Sequence, residues 1–204
     1  LGKEEVNPAY GIAEQLERMS ALGVTIAVMA CNTAHAAPIF DVALELLRTK
    51  KIELRILNLV QETITHIRET QPLVRRVGIL ATQGTYQTRL YDQALEDAGL
   101  EAVLPDPEIR QNNIHAALYS PDFGIKAGGG AVSKKAGARV RSAIHHLRGL
   151  GAEAVILGCT ELPLAVTDDQ IDGMQILDPA RIIAEKLILE TCPEKLVRPK
   201  QEGR

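Results

Sequence analysis

The chain has 204 residues, 46% of them hydrophobic, and a formal net charge of −3. That is enough apolar material for one sizeable domain or two small ones, each with its own core. The basic residues are scattered rather than gathered into a stripe, which excludes nucleic acid and membrane surfaces as partners. No run reaches the roughly 18–20 apolar residues of a membrane span.

In chain order, the N-terminal LGKEEVNPAY lacks the apolar core of a signal peptide, so a cytoplasmic setting is expected. The chain opens on Leu1 rather than Met and reads as a fragment, with no strand ahead of its first helix. Five apolar runs read as buried strands: VTIAVMA (24–30), LRILNLV (54–60), VGILA (77–81), AVILG (154–158) and MQILD (174–178). Their continuous apolar character suits parallel strands covered on both faces. Between and after them AYGIAEQLERMSALG, PIFDVALELLRTK, TRLYDQALEDAGL, ARVRSAIHHLRGLG and PARIIAEKLILETC space apolar residues at three and four, as amphipathic helices do. The alternation implies an α/β fold with parallel sheets. The interval 105–139, with PDP, an Asn pair and AGGGA, reads as a Gly-rich interruption of the kind that forms a lid or stays loose, and the tail RPKQEGR as frayed. Neither a dinucleotide nor a phosphate-loop glycine motif is present.

An internal repeat carries the most information. ALGVTIAVMAC (21–31) and GLGAEAVILGC (149–159) align without a gap, placing Leu22 on Leu150, Gly23 on Gly151 and Cys31 on Cys159. Helix-glycine-strand units are common, and cysteine is a small apolar residue frequent in cores. A cysteine at the same place in both copies is much less expected. Ligands of open α/β sheets bind at the carboxyl ends of the strands, where helix N-termini present free N–H groups. The same location depresses a thiol's pKa from about 8.5. Two such thiols facing each other suit a reaction with a base on one face of a carbon and an acid on the other, which inverts a stereocentre.

MACNTAH (29–35), ILATQGT (79–85) and ILGCTELP (156–163), in that order and spacing, resemble the PLP-independent aspartate/glutamate racemase superfamily. Cys159-Thr160-Glu161 resembles its aspartate racemase branch, since glutamate racemases typically carry Thr-His after the second cysteine. The resemblance implies two pseudo-symmetric sub-domains, each a parallel sheet flanked by helices, with the active site in the cleft between them. Residues 1–73 with 178–204 form the first, expected to lack its N-terminal strand, residues 74–167 the second, and 168–177 a connection. It implies cofactor-independent interconversion of L- and D-aspartate, or of glutamate or a related amino acid, with Cys31 and Cys159 as catalytic acid and base. Asn32, Thr33, Thr82, Thr85 and Thr160 become substrate-binding donors, and Lys126 a carboxylate-binding cation on a lid. Glu161 is added as a residue able to orient the substrate ammonium or a neighbouring hydroxyl. No metal or cofactor is expected, and a homodimer is. The family's N-terminal strand and its carboxylate-binding arginine have no match, so no arginine is carried over.

Two other readings stay open: a decarboxylase or dicarboxylate cis-trans isomerase of the same superfamily, and an inactive amino-acid-binding or regulatory protein. A zinc site from Cys31, His35 and Cys159 is conceivable but lacks the closely spaced ligand pairs of structural zinc. His145-His146 reads as partly solvated and Cys192 as structural.

Overall fold

The structure is a computed structural model and describes residues 6–197; the tail RPKQEGR lies outside the described residues. Helix α1 (Ala9–Ala21) leads into strand β1 (Ile26–Val28), and α2 (Ala37–Thr49) into β2 (Arg55–Leu57). β1 and β2 pair in parallel, Ile26 opposite Arg55 and Val28 opposite Leu57. Leu16 of α1, Ala27 of β1 and Leu47 of α2 pack together over one face of this small sheet.

The expected strand 54–60 stops early. Asn58 turns the chain because its Oδ1 accepts from the backbone N–H groups of Val60 (3.0 Å) and Gln61 (3.1 Å), capping helix α3 (Leu59–Thr70). Strand β3 (Arg76–Ala81) follows, then α4 (Gln83–Gln87), α5 (Leu90–Asp97) and β4 (Glu101–Val103).

The interval 105–139 is less irregular than its glycines and asparagines suggest. Helical backbone runs from α6 (Pro107–Ile109) through a π-helical stretch (Arg110–His115) to α7 (Ala116–Tyr119), and resumes at α8 (Lys134–Gly149). Ile114, Ala117 and Leu118 are fully buried there, so packing overrides the poor helix propensity of the Asn pair. Within it only 105–106 and 120–133 are without regular structure.

Strand β5 (Ala154–Gly158), short helix α9 (Leu162–Ala165), β6 (Gln170–Ile171), β7 (Met174–Leu177) and α10 (Pro179–Thr191) complete the fold. The second sheet has the order β4-β3-β5-β7-β6, parallel except for β6 against β7. Residues 168–177, expected as a connection, thus contribute two of its strands. Successive side chains of β5 point to opposite faces. Val155 and Leu157 join a core with α7 and α8, while Ala154 and Ile156 join one with α3, α5 and α10. Leu57, Ile26 and Val28 of the small sheet pack into the latter core, so the two sheets share it. α10 packs on α3 and reaches both β1 and β5. Among the described residues no helix is long and apolar enough to cross a membrane.

Candidate active site

The repeat read from the sequence is also a repeat of backbone hydrogen bonds. After α1, the N–H of Val24 bonds to Met19 O (3.1 Å) and that of Gly23 to Ser20 O (2.9 Å); after α8, Ala152 bonds to Leu147 O (3.0 Å) and Gly151 to Arg148 O (2.8 Å). Gly23 (φ 87°) and Gly151 (φ 86°) take the left-handed conformation this helix ending requires. Beyond the strands the match resumes. Cys31 O accepts from Ala34 N (3.2 Å) and Cys159 O from Leu162 N (3.0 Å).

Cys31 is exposed and opens a 3₁₀ turn, Asn32–His35. Three features fix this turn. His35 Nδ1 bonds to Cys31 O at 3.0 Å while its ring stacks on Phe40 with centroids 5.0 Å apart. Burial lowers the His35 pKa, so the ring stays neutral and serves as a brace. Thr33 Oγ1 meets Thr85 Oγ1 (3.1 Å) and Thr82 Oγ1 (3.4 Å), and the latter two are 3.2 Å apart, a triangle of hydroxyls joining this turn to the one after β3. Asn32, only 4% exposed, accepts from the Tyr91 hydroxyl, but its Nδ2 has no partner among the described residues. A buried amide donor left unpaired costs free energy unless a ligand oxygen supplies the bond.

Cys159 is 7% exposed and its Sγ donates to Glu161 Oε2 at 2.9 Å. The expectation of a depressed pKa fails here. Burial, and after it the neighbouring Glu161 carboxylate, push the thiol up to about 12. The four-residue helix α9 is too short to contribute a compensating dipole. Glu161 also forms an ion pair with Lys126 and accepts from Thr160 Oγ1 at 3.3 Å. Partial burial disfavours its charge, but the bonds from Cys159 and Lys126 outweigh that and lower its pKa. Burial likewise opposes the Lys126 charge, and Glu161 with the fields of Cys159 and Tyr119 reverses the effect, raising its pKa.

Lys126 does not ride on a loose lid. Its N–H bonds to Leu118 O (3.1 Å), the preceding Ile125 N–H bonds to Ala117 O (2.9 Å), and Ile125 is fully buried. A Cβ on Gly124 would lie 2.5 Å from Ser120 O, so the chain turns back on α7 only with glycine there.

The structure thus gathers Thr33, Thr82 and Thr85, next to Asn32, in one group and Cys159, Thr160, Glu161 and Lys126 in another. The parallel register of Ala81 with Gly158 sets the turns after β3 and β5 side by side. Two residues absent from the sequence reading complete the setting. Tyr119 has its ring 5.6 Å from Lys126 Nζ. Burial raises its pKa, Lys126 opposes this, and Cys159, Glu161 and Cys31 add to it, so the phenol lies within interaction range of both thiols. Tyr91, fully buried, touches both cysteine turns from behind. The sequence signalled it only as a core position of a helix; its hydroxyl, which needs a partner when buried, was the one hint. Among the described residues no three His, Cys, Asp or Glu side chains are placed to hold a metal. Cys192 is a free, half-buried thiol capping α10, while His145 and His146 pair with Asp172 and Asp106.

Matched cysteines thus follow two parallel strands, each with hydroxyl or amide side chains in the adjoining turn. The chain belongs to the Asp/Glu/hydantoin racemase family, whose model matches residues 2–187. It is 27% identical over 168 residues to a glutamate racemase from Aquifex aeolicus, covering 81% of this chain and 58% of that protein. An aspartate racemase from Picrophilus torridus superposes with TM-score 0.72 at 22% identity, over 93% of this chain and 71% of that one. An aspartate racemase homologue from Pyrococcus horikoshii gives 0.66 at 25% identity, over 88% and 72%. These likenesses fix the α/β fold with parallel-dominated sheets. The chain spans about 58% of the length of the Aquifex enzyme.

Proposed function

We propose that the protein is a cofactor-independent racemase of aspartate, glutamate or a related amino acid, with Cys31 and Cys159 as its acid-base pair. The observation that supports this best is the recurrence of one helix-glycine-strand-cysteine unit in which the second thiol is buried and protonated and the first is open to solvent. A two-base inversion needs two thiol groups, one to accept a proton as thiolate and one to give one as thiol.

In one direction the Cys31 thiolate takes the α-proton, and the electron pair of the Cα–H bond passes into the α-carboxylate. The Cys159 thiol then protonates the opposite face of Cα, leaving Cys159 as thiolate and Cys31 as thiol. Solvent proton exchange resets the pair, and the reverse reaction exchanges the roles. The planar intermediate carries new charge on its carboxylate oxygens, where preorganised donors act most strongly. The free Asn32 Nδ2 and the hydroxyls of Thr33, Thr82, Thr85 and Thr160 are assigned to that carboxylate, and Lys126 to a side-chain carboxylate. Glu161 releases Lys126 to the substrate and faces its ammonium group. The partners are this small substrate and, as in the family resemblance, a second copy of the chain in the cytoplasm.

In deuterated water the enzyme should wash deuterium into the α-position of its substrate, and Cys31→Ala and Cys159→Ala should each lower racemisation by about 10²–10⁴, the range of a general acid or base. Racemisation retained in either variant would sink the two-base reading. Light scattering tests the dimer.

A further inference from the structure

We infer that Tyr91 is a positioning residue: its single buried ring locks the Cys31 turn to the Cys159 turn and aims the Asn32 amide into the site. The kinetic part of this inference rests on the racemase reading above; the geometric part does not.

Tyr91 belongs to neither cysteine motif and lies in α5, fully buried. Its hydroxyl donates to Asn32 Oδ1 at 2.5 Å, one residue after Cys31. The edge of its ring, at Cε2, stands 3.2 Å from where a Cβ on Gly158 would lie, one residue before Cys159. A Cβ at 158 would be crowded by this ring, by Ala81 Cβ (3.1 Å) and by Leu80 O (3.2 Å), each tighter than an ordinary contact. A rigid aromatic held between the two turns therefore sets how far apart the strands carrying them can sit.

The hydroxyl adds direction to distance. Phenylalanine would fill the same volume without a polar atom to satisfy, so core packing alone does not call for tyrosine. With Oδ1 engaged by the phenol, the Asn32 Nδ2 is left over, buried and without a partner. Burial also holds the phenol pKa well above its ordinary range, so the group remains a donor across the working pH range and the amide keeps one orientation. The leftover donor is the feature a substrate carboxylate would complete.

The test is a double-mutant cycle on the full chain. Tyr91→Phe, Asn32→Ala and the double variant are compared by steady-state racemisation, with Leu95→Ala, another fully buried residue of α5, as the structural control. Tyr91→Phe should raise KM about tenfold with a smaller change in kcat, the size of effect one hydrogen bond in a site produces. The double variant should be no worse than Asn32→Ala alone, and Leu95→Ala should lower the melting temperature while leaving KM unchanged. An unchanged KM in Tyr91→Phe, or losses that multiply in the double variant, would overturn the assignment. The side-chain amide signals of Asn32, identified by their loss in Asn32→Ala, give a readout free of activity. They should shift in Tyr91→Phe but not in Leu95→Ala, and signals that stay in place overturn the inference. If the wild type racemises no amino acid, the racemase reading fails and these signals alone decide the positioning role. Should Tyr91→Phe not fold, 3-fluorotyrosine at position 91, which keeps ring and hydroxyl, should still move them.

Discussion

The turn after β1 and the turn after β5 begin alike and end unlike. Both leave a helix through a left-handed glycine, run one short strand and deliver a cysteine whose carbonyl caps the next turn. β5, however, is paired on both sides, by β3 and β7, and its ladder with β3 continues to Gly158. Among the described residues β1 is paired only with β2, and its ladder ends at Val28, with Met29 and Ala30 still to come before Cys31. The extra pairing carries Cys159 into the core, while Cys31 is exposed. One sequence unit thus yields one buried and one exposed thiol.

Thiol labelling offers the largest way to break that contrast. At pH 8 a thiol with a pKa near 12 is ionised in about one molecule in ten thousand, and only the thiolate alkylates. Iodoacetamide followed by peptide mass spectrometry should therefore modify the exposed Cys31 much faster than the buried Cys159. Similar rates at the two positions would show that burial and Glu161 do not hold Cys159 protonated. Position 30 against position 158 sharpens the same contrast through packing. Gly158→Ala would press a methyl group against Tyr91, Ala81 and Leu80 and should cost about 1–3 kcal/mol in denaturant unfolding. The aligned Ala30 is exposed and already carries a Cβ, and Ala30→Gly should cost less than about 1 kcal/mol.

Much of this was legible in the sequence. The five expected strands all form, and the gapless repeat located both cysteines, because buried parallel strands need unbroken apolar runs whatever surrounds them. Three things were not legible. Helix α3 was hidden because LNLV continues an apolar run, and only the capping geometry of Asn58 shows where strand gives way to helix. The helical stretch 107–119 was hidden behind an Asn pair whose low propensity is overridden by the burial of Ile114 and Leu118. The unequal surroundings of the thiols were hidden because they depend on how many neighbours each strand acquires. Glu161 and Lys126 are 35 residues apart, and no local pattern reveals that one carboxylate holds both that ammonium and the Cys159 thiol.

The Cys159 pKa also makes a pH prediction. A group whose folded pKa lies above its unfolded value stabilises the fold fully below the unfolded pKa, and that contribution is lost as pH rises toward the folded value. For Cys159 the window runs from about 9 to about 12. Over this range Cys159→Ala should lose less stability than the wild type, read from urea midpoints at successive pH values. Glu161→Gln removes a neighbouring negative charge that raises the thiol pKa, so it should move the alkylation profile of Cys159 to lower pH while burial keeps it above an ordinary thiol's. An unmoved profile would assign the whole shift to burial.

The smallest expected difference is the one between the two glycines that open the units. Gly23→Ala and Gly151→Ala each force an L-residue to a φ near +87°, which costs about 1–2 kcal/mol. Around Gly23 a new Cβ meets nothing within 4 Å, so strain is the whole effect. At Gly151 the Cβ would fall 2.0 Å from Arg76 Nη1, displacing a guanidinium that donates to Gly151 O and pairs with Glu101. That guanidinium ends a flexible, part-exposed chain and can swing aside, so Gly151→Ala should be only slightly the worse of the two. Equal midpoints for the two variants would mean that Arg76 yields without loss, whereas a large gap would mean that its grip on the start of β5 helps keep that strand, and with it Cys159, deep in the sheet.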